Sequence, residues 1–112
     1  MDKPDFLELI DGQRLRVEVN MLSLGEAVDR LGMQIHEISN HEGDPKVITE
    51  LAHCCIQEGE RLDGKEFTMT LQELRALMRV PQLFQFKQIF QAQSLSTGKK
   101  KEPELAKTRK AK

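Results

Sequence analysis

The chain contains no tryptophan and no tyrosine, so its 5 phenylalanines must supply every large aromatic contact. All of them lie upstream of residue 96, which leaves the basic C-terminal end without the stacking platforms that hold single-stranded nucleic acid. The only cysteines, Cys54 and Cys55, are adjacent. Neighbours on a helix point about 100° apart, an arrangement that suits neither a disulfide nor a shared metal, so both are read as reduced and one as a core residue. No run of about 18 apolar residues exists, which removes a membrane-spanning helix. The opening "MDKPDFLELIDGQ" is acidic and lacks the basic region and apolar stretch of a signal peptide, so a cytoplasmic location is expected.

Catalytic signatures are missing too. No pair among His36, His41 and His53 stands at the i, i+4 helical spacing, and Cys54 and Cys55 lack the Cys-x2-Cys spacing, that zinc sites use. No Gly-x-Ser-x-Gly motif and no phosphate-cradling glycine loop occurs. The expectation is a binding protein, with neither enzymatic activity nor cofactor.

What the chain does have is an uneven charge distribution. Residues 99–112 carry seven lysines and arginines against two glutamates, a net +5, while residues 1–98 keep ten basic and sixteen acidic side chains, a net −6. Serine, glycine, proline and lysine dominate after residue 95, with too little apolar surface to offset ordering entropy. The sequence therefore predicts one globular domain over residues 1–95 and a disordered basic tail over 96–112.

Within the domain, Leu15, Val17 and Val19 alternate with Arg14, Arg16 and Glu18, the period of a half-buried strand. Asp11-Gly12 before them is a favoured pair for a type I′ turn, so an N-terminal hairpin is expected. In "LSLGEAVDRLG", Ser23 and Glu26 have the spacing of a capping box, Leu22 that of a hydrophobic staple, and Gly32 ends the helix. Its apolar face would be Leu24, Ala27, Val28 and Leu31. "MQIHEIS" reads as a short helix or a turn.

Asp44-Pro45 then opens a helix expected to reach about Glu58, with Val47, Ile48, Leu51, Ala52, Cys55 and Ile56 inward and Glu50, His53 and Gln57 outward. "LDGK" at residues 62–65 resembles "IDGQ" at 10–13, which would fit an internal duplication, although an Asp-Gly turn needs no shared ancestry. Thr70 and Glu73 form another capping box before Leu71, Leu74, Leu77 and Met78, and Pro81 stops that helix and starts the next. There Leu83, Phe86, Ile89 and Phe90 share one side while Phe84 falls on the other. The fold class expected is α+β, mainly α: a β-hairpin followed by a bundle of about four helices.

The order "ELIDGQRLRVEVNMLSLGEAVDRLGMQIHEIS", an acidic loop, then "VITELAHCCIQEGERLDGKEFTMTLQELRALM" resembles the small tail assembly chaperones of tailed bacteriophages over roughly residues 6–95. The resemblance implies a role in the host cytoplasm: binding the tape measure protein, keeping its apolar helical stretches soluble during tail morphogenesis, and being absent from the mature virion. In many such proteins a ribosomal frameshift near the end of the reading frame adds a domain that recruits the tail tube protein, and "GKKK" at Gly98–Lys101 fits the A-rich codons such an event uses. The adaptable apolar side chains a holder of helices needs are supplied by Met33, Met69, Met78, Leu83, Phe84, Phe86 and Phe90, of which Met78, Leu83, Phe84, Phe86 and Phe90 are the candidate partner-binding residues. Competing roles are a minor structural tail or connector protein and a small DNA-associated regulator acting through the basic tail. Nucleic acid and membrane are not expected partners, and self-association is left open.

Overall fold

A computed structural model describes residues 5–95, which form a β-hairpin followed by five helices. The expectation for residues 96–112 lies outside the described residues. Strands β1 (Asp5–Glu8) and β2 (Arg14–Val17) pair antiparallel, with Leu7 opposite Leu15 and Asp5 opposite Val17. The alternation puts Leu7, Leu9, Leu15 and Val17 on the buried face.

The turn between the strands is not type I′. Among the described residues only glycines have positive φ, so Asp11 does not adopt the first left-handed position that turn requires. Gly12 alone takes it, at φ 92°, in a loop closed by Leu9 N–H donating to the Gln13 carbonyl at 2.8 Å and Gly12 N–H to that of Leu9 at 3.0 Å. This is the wider hairpin, in which one glycine closes a loop of three residues.

Helix α1 (Met21–Leu31) starts earlier than the Ser23–Glu26 pattern predicts. Asn20 is the cap: its side chain accepts from Ser23 N–H at 3.0 Å, and Ser23 Oγ accepts from Asn20 N–H at 2.9 Å. Ser23 is thereby buried inside the first turn, and Leu22, expected as the staple, points to solvent with 64% of its surface exposed. Val19 and Leu24, one before the cap and four after it, occupy the staple positions and are half-buried against the core. Gly32 ends the helix at φ 65°, as predicted. The ambiguous stretch that follows is helix α2 (Ile35–Asn40).

Helix α3 (Pro45–Leu62) is the centre of the molecule, capped by the Asp44 carboxylate on Lys46 N–H at 2.9 Å. Val47, Ile48, Leu51, Ala52, Cys55 and Ile56 are buried as predicted, and so is His53, which was expected outside. The helix continues past Glu58 to Leu62, and Gly59 within it lets the Arg16 carbonyl of β2 lie directly against it. Asp63-Gly64 closes this helix, with Gly64 at φ 75°, and makes no hairpin turn, so its likeness to Asp11-Gly12 is one of local turn chemistry.

Helix α4 (Leu71–Leu77) begins at the Thr70–Glu73 capping box, with bonds of 2.8 and 3.1 Å. Helix α5 (Val80–Leu95) restarts two residues before Gln82, whose side-chain oxygen accepts from Arg79 N–H at 2.8 Å; Pro81 in that first turn gives up no needed donor. Phe86, fully buried, and Phe90 carry α5 onto the core. No helix among the described residues is long and apolar enough to cross a membrane.

Candidate partner groove

Three helix ends meet around the link from β2 to α1, and two polar side chains fix that link. The Gln93 amide on α5 accepts from Val19 N–H at 2.6 Å and donates to the Val17 carbonyl and Asp5 carboxylate, each at 2.9 Å. Asn20, besides capping α1, donates through Nδ2 to Glu58 at 2.8 Å. Arg61 grips the same carboxylate with bonds of 2.9 and 2.7 Å, and its guanidinium, helped by Asn20, holds the Glu58 carboxyl below the usual range despite burial. The start of α1 is therefore held rigidly beside the end of α5.

Between these elements lies an open groove of about 810 Å³. Val19, Leu24, Ile38 and Phe90 line its inner part, and Met21 and Ile35 its rim, where they are 75% and 48% exposed. Leu22, beside Met21, adds further exposed apolar surface. Asn20, Ser39, Gln91, Gln93 and Ser94 complete the lining, in which Glu42 is the one charged residue among the described residues. A concavity with an apolar floor and exposed apolar side chains at its rim, set among polar ones, is suited to the apolar face of an amphipathic helix.

The five residues singled out from sequence do not form one surface. Met78 and Phe86 are buried, Leu83 is half-buried against the core, and Phe90, 6.0 Å from Phe86 between ring centroids, belongs to both core and groove. Phe84 alone is substantially exposed, at 55%, with the Lys87 ammonium 5.7 Å from its ring centroid. It does not line the groove. Sequence reasoning missed Met21, Leu22 and Ile35. A signal was present in Asn20, a strong capping residue three before Ser23, which places Met21 and Leu22 at the first two helical positions instead of outside the helix.

His53 joins three segments. Its Nε2 lies 2.8 Å from the Met69 carbonyl, so it must carry the proton and donate; Nδ1 then accepts from the Arg30 guanidinium at 2.9 Å. Its ring lies 5.1 Å from that of Phe67. Arg30 also reaches Glu26 at 3.0 Å and Gln57 at 2.9 Å, binding α1 to α3. Burial pushes the Cys54 thiol up to about 11 and Cys55 up to about 12, so both are protonated packing groups and neither is a ready nucleophile. Among the described residues no three His, Cys, Asp or Glu side chains are grouped to hold a metal ion. Comparison of the chain with protein-family models, curated proteins and solved structures finds no match.

Proposed function

We propose that the protein is a tail assembly chaperone of a tailed bacteriophage, which holds apolar helical segments of the tape measure protein in the groove between α1, α2 and α5. The observation that carries the reading is the exposed apolar rim of Met21 and Ile35 over a floor containing Ile38 and Phe90. The resemblance of residues 6–95 to such chaperones supports it. An amphipathic segment seated there would cover side chains that the free protein leaves in water, at about 1.5–3 kcal/mol for each large apolar side chain fully buried. Methionine, flexible and polarisable, lets one rim accept varied partner side chains. A frameshifted longer product would recruit the tail tube protein to the same complex.

The test is co-expression with an apolar helical segment of a tape measure protein that precipitates when made alone. The native chain keeps the segment soluble and co-purifies with it, while Met21→Glu and Ile35→Glu abolish both effects. Neither change disturbs the core, and Glu at the first turn of α1 is favoured by the helix dipole. Equal recovery of the segment with both variants would overturn the reading.

A further inference from the structure

A second apolar surface lies along α5, away from the groove floor. Val80 and Phe84, four residues apart and so on one side of the helix, are 65% and 55% exposed. Lys87 follows three residues later, its ammonium near the Phe84 ring. Arg79 immediately precedes Val80, and among the described residues its side chain donates to the carbonyls of Ala76 at 2.8 Å and Met78 at 3.5 Å. Among the described residues no carboxylate lies within ion-pair distance of Arg79 or Lys87; Arg16, Arg30 and Arg61 have one, while Arg14, Lys46, Lys65 and Arg75 also have none.

That pattern runs against the charge of the molecule. Residues 1–98 carry a net −6, yet α5 contains Lys87 as its single charge and no acid, with glutamine at 82, 85, 88, 91 and 93. An apolar pair flanked by two cations without carboxylate partners is the complement of an apolar stripe edged with carboxylates. We propose that the Val80–Phe84 stripe docks an amphipathic helix of that kind on a partner protein. Val80 and Lys87 are seven residues apart, about 10 Å along the helix, so a parallel or antiparallel partner helix can meet both with residues one heptad apart. Phe84 is the anchor, because a desolvated aromatic near the centre of a contact carries most of its energy. A second copy of this chain fits less well, since it would bring the same cations and no acid from α5. The surface does not depend on what fills the groove.

The test uses two synthetic amphipathic helical peptides with the same leucine stripe, one edged with glutamate and one with lysine, titrated into the full chain by fluorescence anisotropy. The native protein binds the glutamate peptide at least tenfold more tightly. Phe84→Ser and Val80→Ser each weaken it tenfold or more, with circular dichroism and melting unchanged, and Lys87→Glu reverses the preference. Undetectable binding of the glutamate peptide, or a preference that survives Lys87→Glu, refutes the proposal. So does a peptide whose binding is lost in Met21→Glu and kept in Phe84→Ser, which places it in the groove. Concentration-dependent dimerisation abolished by Phe84→Ser would also refute it, by making a second copy the occupant.

Discussion

Adding one methyl group at Gly59 should unfold the protein more readily, although the same change at an ordinary helical glycine is stabilising. Alanine gains about 1 kcal/mol over glycine in a helix interior. At Gly59, however, the new Cβ would stand 2.6 Å from the Arg16 carbonyl carbon and 3.1 Å from Arg16 Cγ, with the carbonyl oxygen nearer still. Backbone cannot rotate away as a side-chain tip can, so β2 has to lift off α3. Two hydrogen bonds span that contact, Glu18 N–H to the Cys55 carbonyl and Arg16 N–H to Glu60 Oε2, both 3.0 Å. Each is worth about 1 kcal/mol net, and forced repacking of a tight contact costs a further 1–3 kcal/mol or so. Set against the propensity gain, the expected net loss for Gly59→Ala is about 2–4 kcal/mol, a large part of the ~5–15 kcal/mol that holds a domain together. Urea denaturation followed by circular dichroism reads it as a lower midpoint with an unchanged slope. A Gly59→Ala protein as stable as the native one would refute the close crossing of β2 over α3.

Gly25→Ala is the matched control: it lies in exposed α1 with nothing within 4 Å of its Cβ, so it should stabilise by roughly 0.5–1 kcal/mol in the same assay. Ellman's reagent at about pH 8 should leave both thiols unmodified in the native protein and react with two in urea; fast native labelling would contradict their burial. Glu58, whose carboxyl is held low by Arg61 and Asn20, contributes stability above its unfolded pKa that is lost as pH falls through the folded value; Glu58→Gln should therefore flatten the stability curve below about pH 5. His53→Ala should cost about 2–3 kcal/mol, since it leaves the Met69 carbonyl without its donor and opens space against Phe67; a change under about 0.5 kcal/mol would return His53 to the surface.

The sequence by itself determined the elements whose causes are local. Alternation in residues 14–19, the Thr70–Glu73 capping box, Asp44-Pro45, Gly32 and the spacing of Val47, Ile48, Leu51 and Ile56 each act within a few residues, and the corresponding strand, caps and buried face are where they were expected. Phe84 was legible for the same reason, since helical phase alone turns it from Phe86 and Phe90. Tertiary contacts decided the rest. The type of the first turn, the start of α1 and the reach of α3 past Glu58 depend on partners 38 to 44 residues distant in sequence or on competing local bonds, as with Asn20 to Glu58 and Arg16 to Glu60. His53 looked like a solvent-facing residue because periodicity measures apolarity, and a polar ring can be buried once Arg30 and Met69 satisfy both nitrogens. The groove was invisible for the same physical reason: Met21, Ile35 and Phe90 are scattered over 70 positions, and only the packing of α1, α2 and α5 brings them to one concave surface.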